Sequence, residues 1–153
     1  MPAVSLSKLE RHFPVEGHTD VVVVQGAARR LAAQLGFPEQ AQWEIAIAVS
    51  EVATNIVKYT PGGVVLLRCR QDGGRVCFEF EAVDRGEGLE DIEMAKRDGV
   101  SQGCDLTTYE GPDRPHSLGT GLGAIHRLMD RVTIENCDSG GLSVRAQKDL
   151  RDR

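Results

Sequence analysis

The chain lacks an excess of positive charge, paired cysteines and any long apolar run. Its formal net charge at pH 7 is −5, which argues against binding nucleic acid or an anionic membrane through a broad basic face. The four cysteines form no C-x-x-C pair, so their spacing suggests no zinc site. No apolar run comes near the roughly 18 residues of a membrane span, and no signal peptide pattern opens the chain. These absences predict a cytoplasmic protein with reduced thiols and with no nucleic-acid or membrane partner.

The length and composition indicate one domain. With 153 residues, 41% of them apolar, the chain is long enough to bury a sizeable core. No repeat or linker divides it. We therefore expect a single domain over 1–153, with loose termini at 1–8 and 148–153.

The first half predicts an edge strand, two helices and a hairpin. The weak alternation and Pro14 of 9–15 are typical of an edge strand. A helix capped by Thr19 or Asp20 follows, and it ends at Gly36. Its apolar stripe is Val23, Ala27, Leu31 and Leu35. The second helix begins near Pro38 and ends at Tyr59.

Two strands, 64–71 and 75–83, then form a hairpin around Gly73 and Gly74. In that register Arg68 lies opposite Glu79, and the apolar residues of both strands share one face. Period-two counting points Phe80 and Ala82 inward, which puts Asp84 next on the inner face. A carboxylate there needs a hydrogen-bond donor.

The second half is rich in glycine. Residues 89–97 carry a short amphipathic helix pattern, and 98–118 are polar enough to predict a lid. Gly119, Gly121 and Gly123 then open another helix, and a second hairpin spans 131–136 and 142–147. Exposed N–H groups at a glycine-rich helix start favour phosphate binding. No Gly-Lys-Ser/Thr follows, so the pattern is not a Walker A loop.

The second helix carries a polar stripe on an otherwise apolar surface. Glu44, Glu51, Asn55 and Lys58 share this stripe with Ile47. Buried polar groups need partners. Two kinds of partner meet this need: the residues of the stripe can pair with one another, or they can bind a ligand.

Taken together and in this order, Glu51-x-x-x-Asn55, Asp84-x-Gly86-x-Gly88, a long lid and Gly119-x-Gly121-x-Gly123 resemble the Bergerat-fold (GHKL) ATP-binding family. The resemblance covers roughly 39–146. It implies an α+β sandwich, in which a mixed, mostly antiparallel sheet is covered on one face by helices. It also implies ATP as ligand, with Mg²⁺.

The chemistry of these residues suits that ligand. Asp84 can accept from the adenine amine, and Gly86 and Gly88 let the backbone approach the base. Asn55 offers an oxygen to Mg²⁺, and Glu51, one turn earlier, is placed to act as a general base. The further ATP-binding residues expected are Ser117, Leu118, Gly119, Thr120, Gly121, Leu122 and Gly123. The N–H groups of 119–123 suit the phosphate chain. Lys58 is either a counter-charge or a surface lysine. Pairing of Glu51 with Lys58 or a backbone donor remains the alternative.

Within that family, the chain resembles the stand-alone serine/threonine kinases of bacterial partner switching. Residues 88–99, 117–119 and 125–130 are similar to the RsbT-type switch kinases of stress signalling. The resemblance implies phosphorylation of a STAS-domain antagonist protein and activation of a PP2C-type phosphatase. The anti-sigma branch instead implies a homodimer that sequesters a sigma factor, with ATP as a conformational ligand. The lid of this chain is longer than the RsbT-type branch usually carries, so the choice of partner stays open.

Overall fold

A five-stranded sheet with helices packed on one face forms the body of the protein. The computed structural model describes residues 9–88, 100–101, 104–105, 121–138 and 140–151. Its elements in chain order are β1 (Glu10–Val15), α1 (His18–Gln34), α2 (Glu39–Tyr59), β2 (Gly63–Asp72), β3 (Arg75–Asp84), β4 (Val100–Ser101), β5 (Cys104–Asp105), α3 (Gly121–Leu128), β6 (Arg131–Asn136) and β7 (Leu142–Asp149). The α+β sandwich is confirmed, with strand order β1-β2-β3-β7-β6 and β4-β5 as a separate pair. Every pairing among the described strands is antiparallel, so the parallel pair of a mixed sheet is not found there.

The β2–β3 hairpin has the expected register. Arg68 lies opposite Glu79, and the two-residue loop is Gly73-Gly74. Both glycines have positive φ, 57° and 81°, which is the conformation that a tight hairpin loop matching the strand twist requires. Because side chains alternate along a strand, this register sends Phe78, Phe80 and Ala82 into the core, where they are buried beneath the helices.

The opposite face of the sheet is covered by its own charged side chains. Glu79 is only 1% exposed there. It accepts from Arg68 at 3.3 Å and from the amide of Gln147 at 2.6 Å. Arg68 also bonds Glu81 at 2.6 Å and Glu10 at 2.7 Å. Since a buried carboxylate is costly unless it is paired, this network explains why Glu79 can lie in the middle of the sheet.

The start of α1 and one residue of its buried stripe differ from expectation, whereas Ala27, Leu31 and Leu35 are buried as predicted. Gly17 is the N-cap, and Asp20 lies inside the first turn, where it accepts the Gly17 N–H at 3.1 Å and the Glu16 N–H at 2.9 Å. The predicted burial of Val23 is wrong: its side chain is 51% exposed, whereas Val24 is fully buried. Val23 is one of four consecutive valines, and such a run carries no period from which to read the buried side.

The last strand is longer than the sequence suggested. Lys148 was expected in a loose tail, but β7 continues to Asp149. Of the predicted lid at 98–118, only the short β4 and β5 are described, and the predicted helix at 89–97 lies outside the described residues. Within the described part of the chain, no helix has both the length and the apolarity that a membrane span requires.

Candidate functional site

Asp84 is the last residue of β3, and one of its carboxylate oxygens already accepts two hydrogen bonds. Its Oδ1 accepts the N–H of Gly86 at 2.8 Å and the N–H of Leu142, at the start of β7, at 3.1 Å. Its side chain is half-buried. Within the described ranges no hydrogen bond reaches Oδ2. The two backbone donors therefore fix the carboxylate and leave Oδ2 as an acceptor for a ligand.

Two glycines hold the backbone close to this carboxylate. A Cβ built on Gly86 would lie 2.9 Å from Cγ2 of Thr60 and 3.0 Å from Oδ1 of Asp84. A Cβ on Gly141 would collide with the carbonyl oxygen of Asp84, and Gly141 has a φ of +81°. Thr60 follows the last residue of α2. The turn after β3, the end of α2 and the β6–β7 loop thus meet around Asp84.

Of these groups, Gly141 and Thr60 were not among the expected site residues. Gly141 lies in a Gly-rich hairpin loop, and this pattern indicates only a turn. Gly88 was expected, and its φ of +81° and its packing against the amide of Asn136 suit glycine as well.

The second part of the site lies where α2 meets α3. Asn55 is half-buried, and a Cβ built on Gly121, the first residue of α3, would lie 3.8 Å from Nδ2 of Asn55. The first N–H groups of a helix have no partner within the helix and carry its positive dipole end. The predicted phosphate contacts Gly121, Leu122 and Gly123 are buried at this end of α3. The predicted contacts Ser117, Leu118, Gly119 and Thr120 lie outside the described residues.

Helix α2 connects the two parts. Asn55 and Thr60 are five residues apart, which is roughly 7.5 Å along a helix axis. Thr60 lies against the Asp84 turn, and Asn55 lies beside the start of α3. Glu51 lies one turn before Asn55 and is half-buried, whereas Lys58, in the last turn, is exposed. The Glu51 carboxylate and the Asn55 amide therefore lie one turn apart on α2, and the start of α3 lies beside Asn55.

Glu44, the first polar residue of the α2 stripe, has a structural partner. Its Oε2 pairs with Nζ of Lys148 at 2.9 Å, and Nζ also donates to the carbonyl of Leu128 at 2.7 Å. Leu128 is the last residue of α3. Lys148 thereby connects α2 with the C-terminal end of α3, whose N-terminal end lies beside Asn55.

Replacing Lys148 with Met is therefore expected to destabilise the protein and to weaken binding at the site. Glu44 would lose its cation and Leu128 its donor, which corresponds to about 2 kcal/mol in the free energy of unfolding. Chemical denaturation measures this loss, and titration with ATP should show a several-fold weaker affinity. Arg145→Met, on the exposed face of the same strand, is the control and should cost under about 0.5 kcal/mol. Equal losses in the two variants would contradict the role of Lys148.

Two of the described cysteines, Cys69 and Cys77, have thiols whose pKa is raised. Burial and the neighbouring Asp149 carboxylate raise the pKa of the Cys77 thiol to about 11, so it stays protonated at neutral pH. Burial also raises the pKa of Cys69. Among the described residues, no group of three or more His, Cys, Asp or Glu side chains lies close enough together to hold a metal ion.

The arrangement fits a ligand with an amino-bearing ring at one end and phosphates at the other. Oδ2 of Asp84 is available to a ring amine, and the glycines leave room for close approach of a flat group. The start of α3 suits an anion, and the side-chain oxygen of Asn55 suits a hard cation bound with that anion.

Comparisons with known proteins agree with this fit. Residues 16–148 match the histidine kinase-like ATPase domain. The chain is 33% identical over 132 residues to the serine/threonine-protein kinase RsbT of Bacillus subtilis (strain 168), a match that covers 86% of this chain and 90% of RsbT.

Two solved structures share the fold. The RsbU and RsbW domains of Rv1364c from Mycobacterium tuberculosis superpose with a TM-score of 0.61 at 17% identity, covering 95% of this chain and 34% of that chain. The SiaB-SiaC complex from Pseudomonas aeruginosa gives a TM-score of 0.52 at 15% identity, covering 94% of this chain and 90% of that chain. The chain belongs to the histidine kinase-like ATPase domain family, and this membership implies that it binds ATP.

Proposed function

We propose that this protein is an ATP-dependent serine/threonine protein kinase of a partner-switching system, and that its substrate is a STAS-domain antagonist protein. The observation that carries the proposal is the position of Glu51, one helical turn from Asn55, which lies beside the first residue of α3. A general base is thus next to the end of the site that suits phosphates. The similarity to the RsbT kinase over 90% of its length supports the same activity.

Each residue then has a role in binding or orientation. Asp84 accepts the adenine amine through Oδ2, and the N-terminal N–H groups of α3 hold the phosphate chain. Asn55 is the residue that would hold Mg²⁺, which when bound would neutralise phosphate charge. Glu51 accepts the proton of the substrate hydroxyl as the new O–P bond forms and the bond to the leaving ADP breaks. Phosphoryl transfer depends mainly on such positioning and charge stabilisation.

The test is transfer of phosphate to a purified STAS-domain protein. Incubation with ATP and Mg²⁺ should place one phosphate on a serine or threonine, which mass spectrometry identifies. Asn55→Ala should reduce the transfer by roughly 100-fold or more, because it removes the side-chain oxygen that would hold Mg²⁺. Thr133→Ala, at an exposed position of the edge strand β6, is the control and should retain activity.

A second candidate is a binding module that uses ATP as a conformational ligand, with a sigma factor or a PP2C-type phosphatase as partner. The superposition on the SiaB-SiaC complex favours a protein partner of some kind. The same assay separates the two functions. Release or capture of the partner on adding ATP, with no phosphate on any protein, would contradict the kinase and favour the module.

A further inference from the structure

The outer surface of the α1–α2 pair exposes large apolar side chains. Val22 is 68% exposed, Val23 51%, Trp43 44% and Ile47 43%. Among the described residues these four are the exposed large hydrophobic side chains, and all of them lie on these two helices. Scattered single apolar residues on a surface need no explanation, but a group of them on one surface indicates a contact site.

One contact between the two helices and their antiparallel packing place these side chains on a common surface. The guanidinium carbon of Arg29 lies 3.9 Å from the centre of the Trp43 ring. Helices joined by a short connection run antiparallel, so Ile47, one turn after Trp43, lies further toward the N-terminal half of α1. Val22 and Val23 are in that half. We call Val22, Val23, Arg29, Arg30, Trp43 and Ile47 the outer-helix patch.

The patch is positively charged, although the whole chain has a net charge of −5. Within the described ranges neither Arg29 nor Arg30 has a carboxylate within 4.0 Å. Arg29 instead stacks on Trp43, and Arg30 lies against Gly26, with Nη1 3.3 Å from a Cβ built there. Tryptophan and arginine are the residues that most often dominate protein interfaces. Two guanidinium groups without carboxylate partners complement an acidic surface.

This charge argues against a second copy of the chain as the occupant. In a two-fold symmetric dimer the same patch meets itself. The interface would then hold Arg29 and Arg30 of both copies. Like charges brought together in this way oppose association. A partner that presents carboxylates among apolar side chains fits the patch better.

The patch continues directly into the candidate catalytic site. Ile47 and Glu51 are four residues apart, so they are neighbours on the surface of α2. Asn55 follows one further turn along, beside Gly121. A protein seated on the patch would therefore lie next to Glu51, where a substrate hydroxyl has to arrive.

We infer that the outer-helix patch is the docking surface for the protein substrate, which contacts it through apolar side chains and carboxylates. This inference rests on the proposed kinase function. It assigns the specificity for the protein substrate to the outer-helix patch, and the binding of ATP to the residues around Asp84 and Gly121. Binding of the substrate and binding of ATP therefore depend on different residues and can be changed separately.

The test uses Arg30→Glu and Val22→Glu, two exposed positions of the patch on α1, in steady-state phosphorylation of a purified STAS-domain protein. Both variants should raise the KM for the STAS protein at least tenfold, because each places a carboxylate against an acidic, apolar partner. The kcat and the KM for ATP should stay within about twofold. Arg11→Glu makes the same charge change on the exposed surface of edge strand β1 and should behave as wild type. Unchanged thermal unfolding shows that the variants fold.

Several results would overturn the inference. One is a KM for the STAS protein that neither variant changes. Another is a wild-type dimer, seen by light scattering, that both variants convert to monomers, since the patch would then join two copies. If the wild-type chain transfers no phosphate, the proposed function fails, and calorimetric binding of the same STAS protein decides the docking. If Arg30→Glu binds the STAS protein tenfold more weakly than wild type, the docking surface is supported. If the wild type does not bind the STAS protein, the docking surface is refuted.

Discussion

Replacing Glu51 with Gln is expected to abolish phosphoryl transfer while ATP still binds. Glutamine has nearly the same shape, so α2 and its contacts with α3 should persist, but an amide cannot accept the proton of the substrate hydroxyl. General bases contribute about 10²- to 10⁴-fold to rates. We expect a loss of that size in kcat for the STAS-domain substrate. Calorimetric titration should give an ATP affinity within about threefold of wild type.

The matched control is Glu44→Gln, the same substitution two turns earlier on the same helix. Its carboxylate pairs with Lys148, so the change should lower stability but leave kcat within several-fold of wild type. Full kinase activity in Glu51→Gln would refute the assignment of the base. Loss of ATP binding in the same variant would instead show that Glu51 holds the nucleotide.

Predictions from the sequence were most accurate for features that local patterns determine. The Gly73-Gly74 loop fixes the register of its hairpin, so the pairing of Arg68 with Glu79 followed from turn length and alternation alone. The inward face of β3 followed in the same way, and with it the position of Asp84. The end of α1 just before Gly36, which has a φ of 93°, also follows from a local rule.

Contacts between residues far apart in the sequence were not predictable from those patterns. Lys148 was expected in a charged tail because its partner Glu44 lies 104 positions away. The N–H of Leu142 reaches Asp84 from 58 positions away. For α1, the run of four valines left open which of them is buried, although the later stripe residues Ala27, Leu31 and Leu35 are buried as expected. The closeness of Asn55 and Gly121 was expected only through the family resemblance, since nothing local connects α2 with α3.

Replacing Asp84 with Asn is expected to remove ATP binding without unfolding the protein. Both backbone donors, Gly86 and Leu142, bond to the same oxygen, Oδ1. An asparagine can keep its carbonyl oxygen at that position, which places its NH₂ group where Oδ2 was. The ligand then meets a donor instead of an acceptor. A hydrogen bond to a charged group is worth about 1.5–3 kcal/mol, and two facing donors repel, so ATP should bind roughly 100-fold more weakly.

Thermal unfolding with and without nucleotide measures both parts of this expectation. The ligand-free variant should unfold near the wild-type temperature, and ATP with Mg²⁺ should no longer raise it, because only a ligand that binds the native state stabilises. Asp130→Asn is the control: this carboxylate also accepts a backbone N–H, from Asp149 at 2.8 Å, but it lies at the C-terminal end of α3. Its ATP affinity should match wild type. An Asp84→Asn protein that binds ATP within twofold of wild type would show that adenine is recognised elsewhere. If it binds ATP weakly but also unfolds at a much lower temperature, the bonds to Gly86 and Leu142 depend on the charge of the carboxylate.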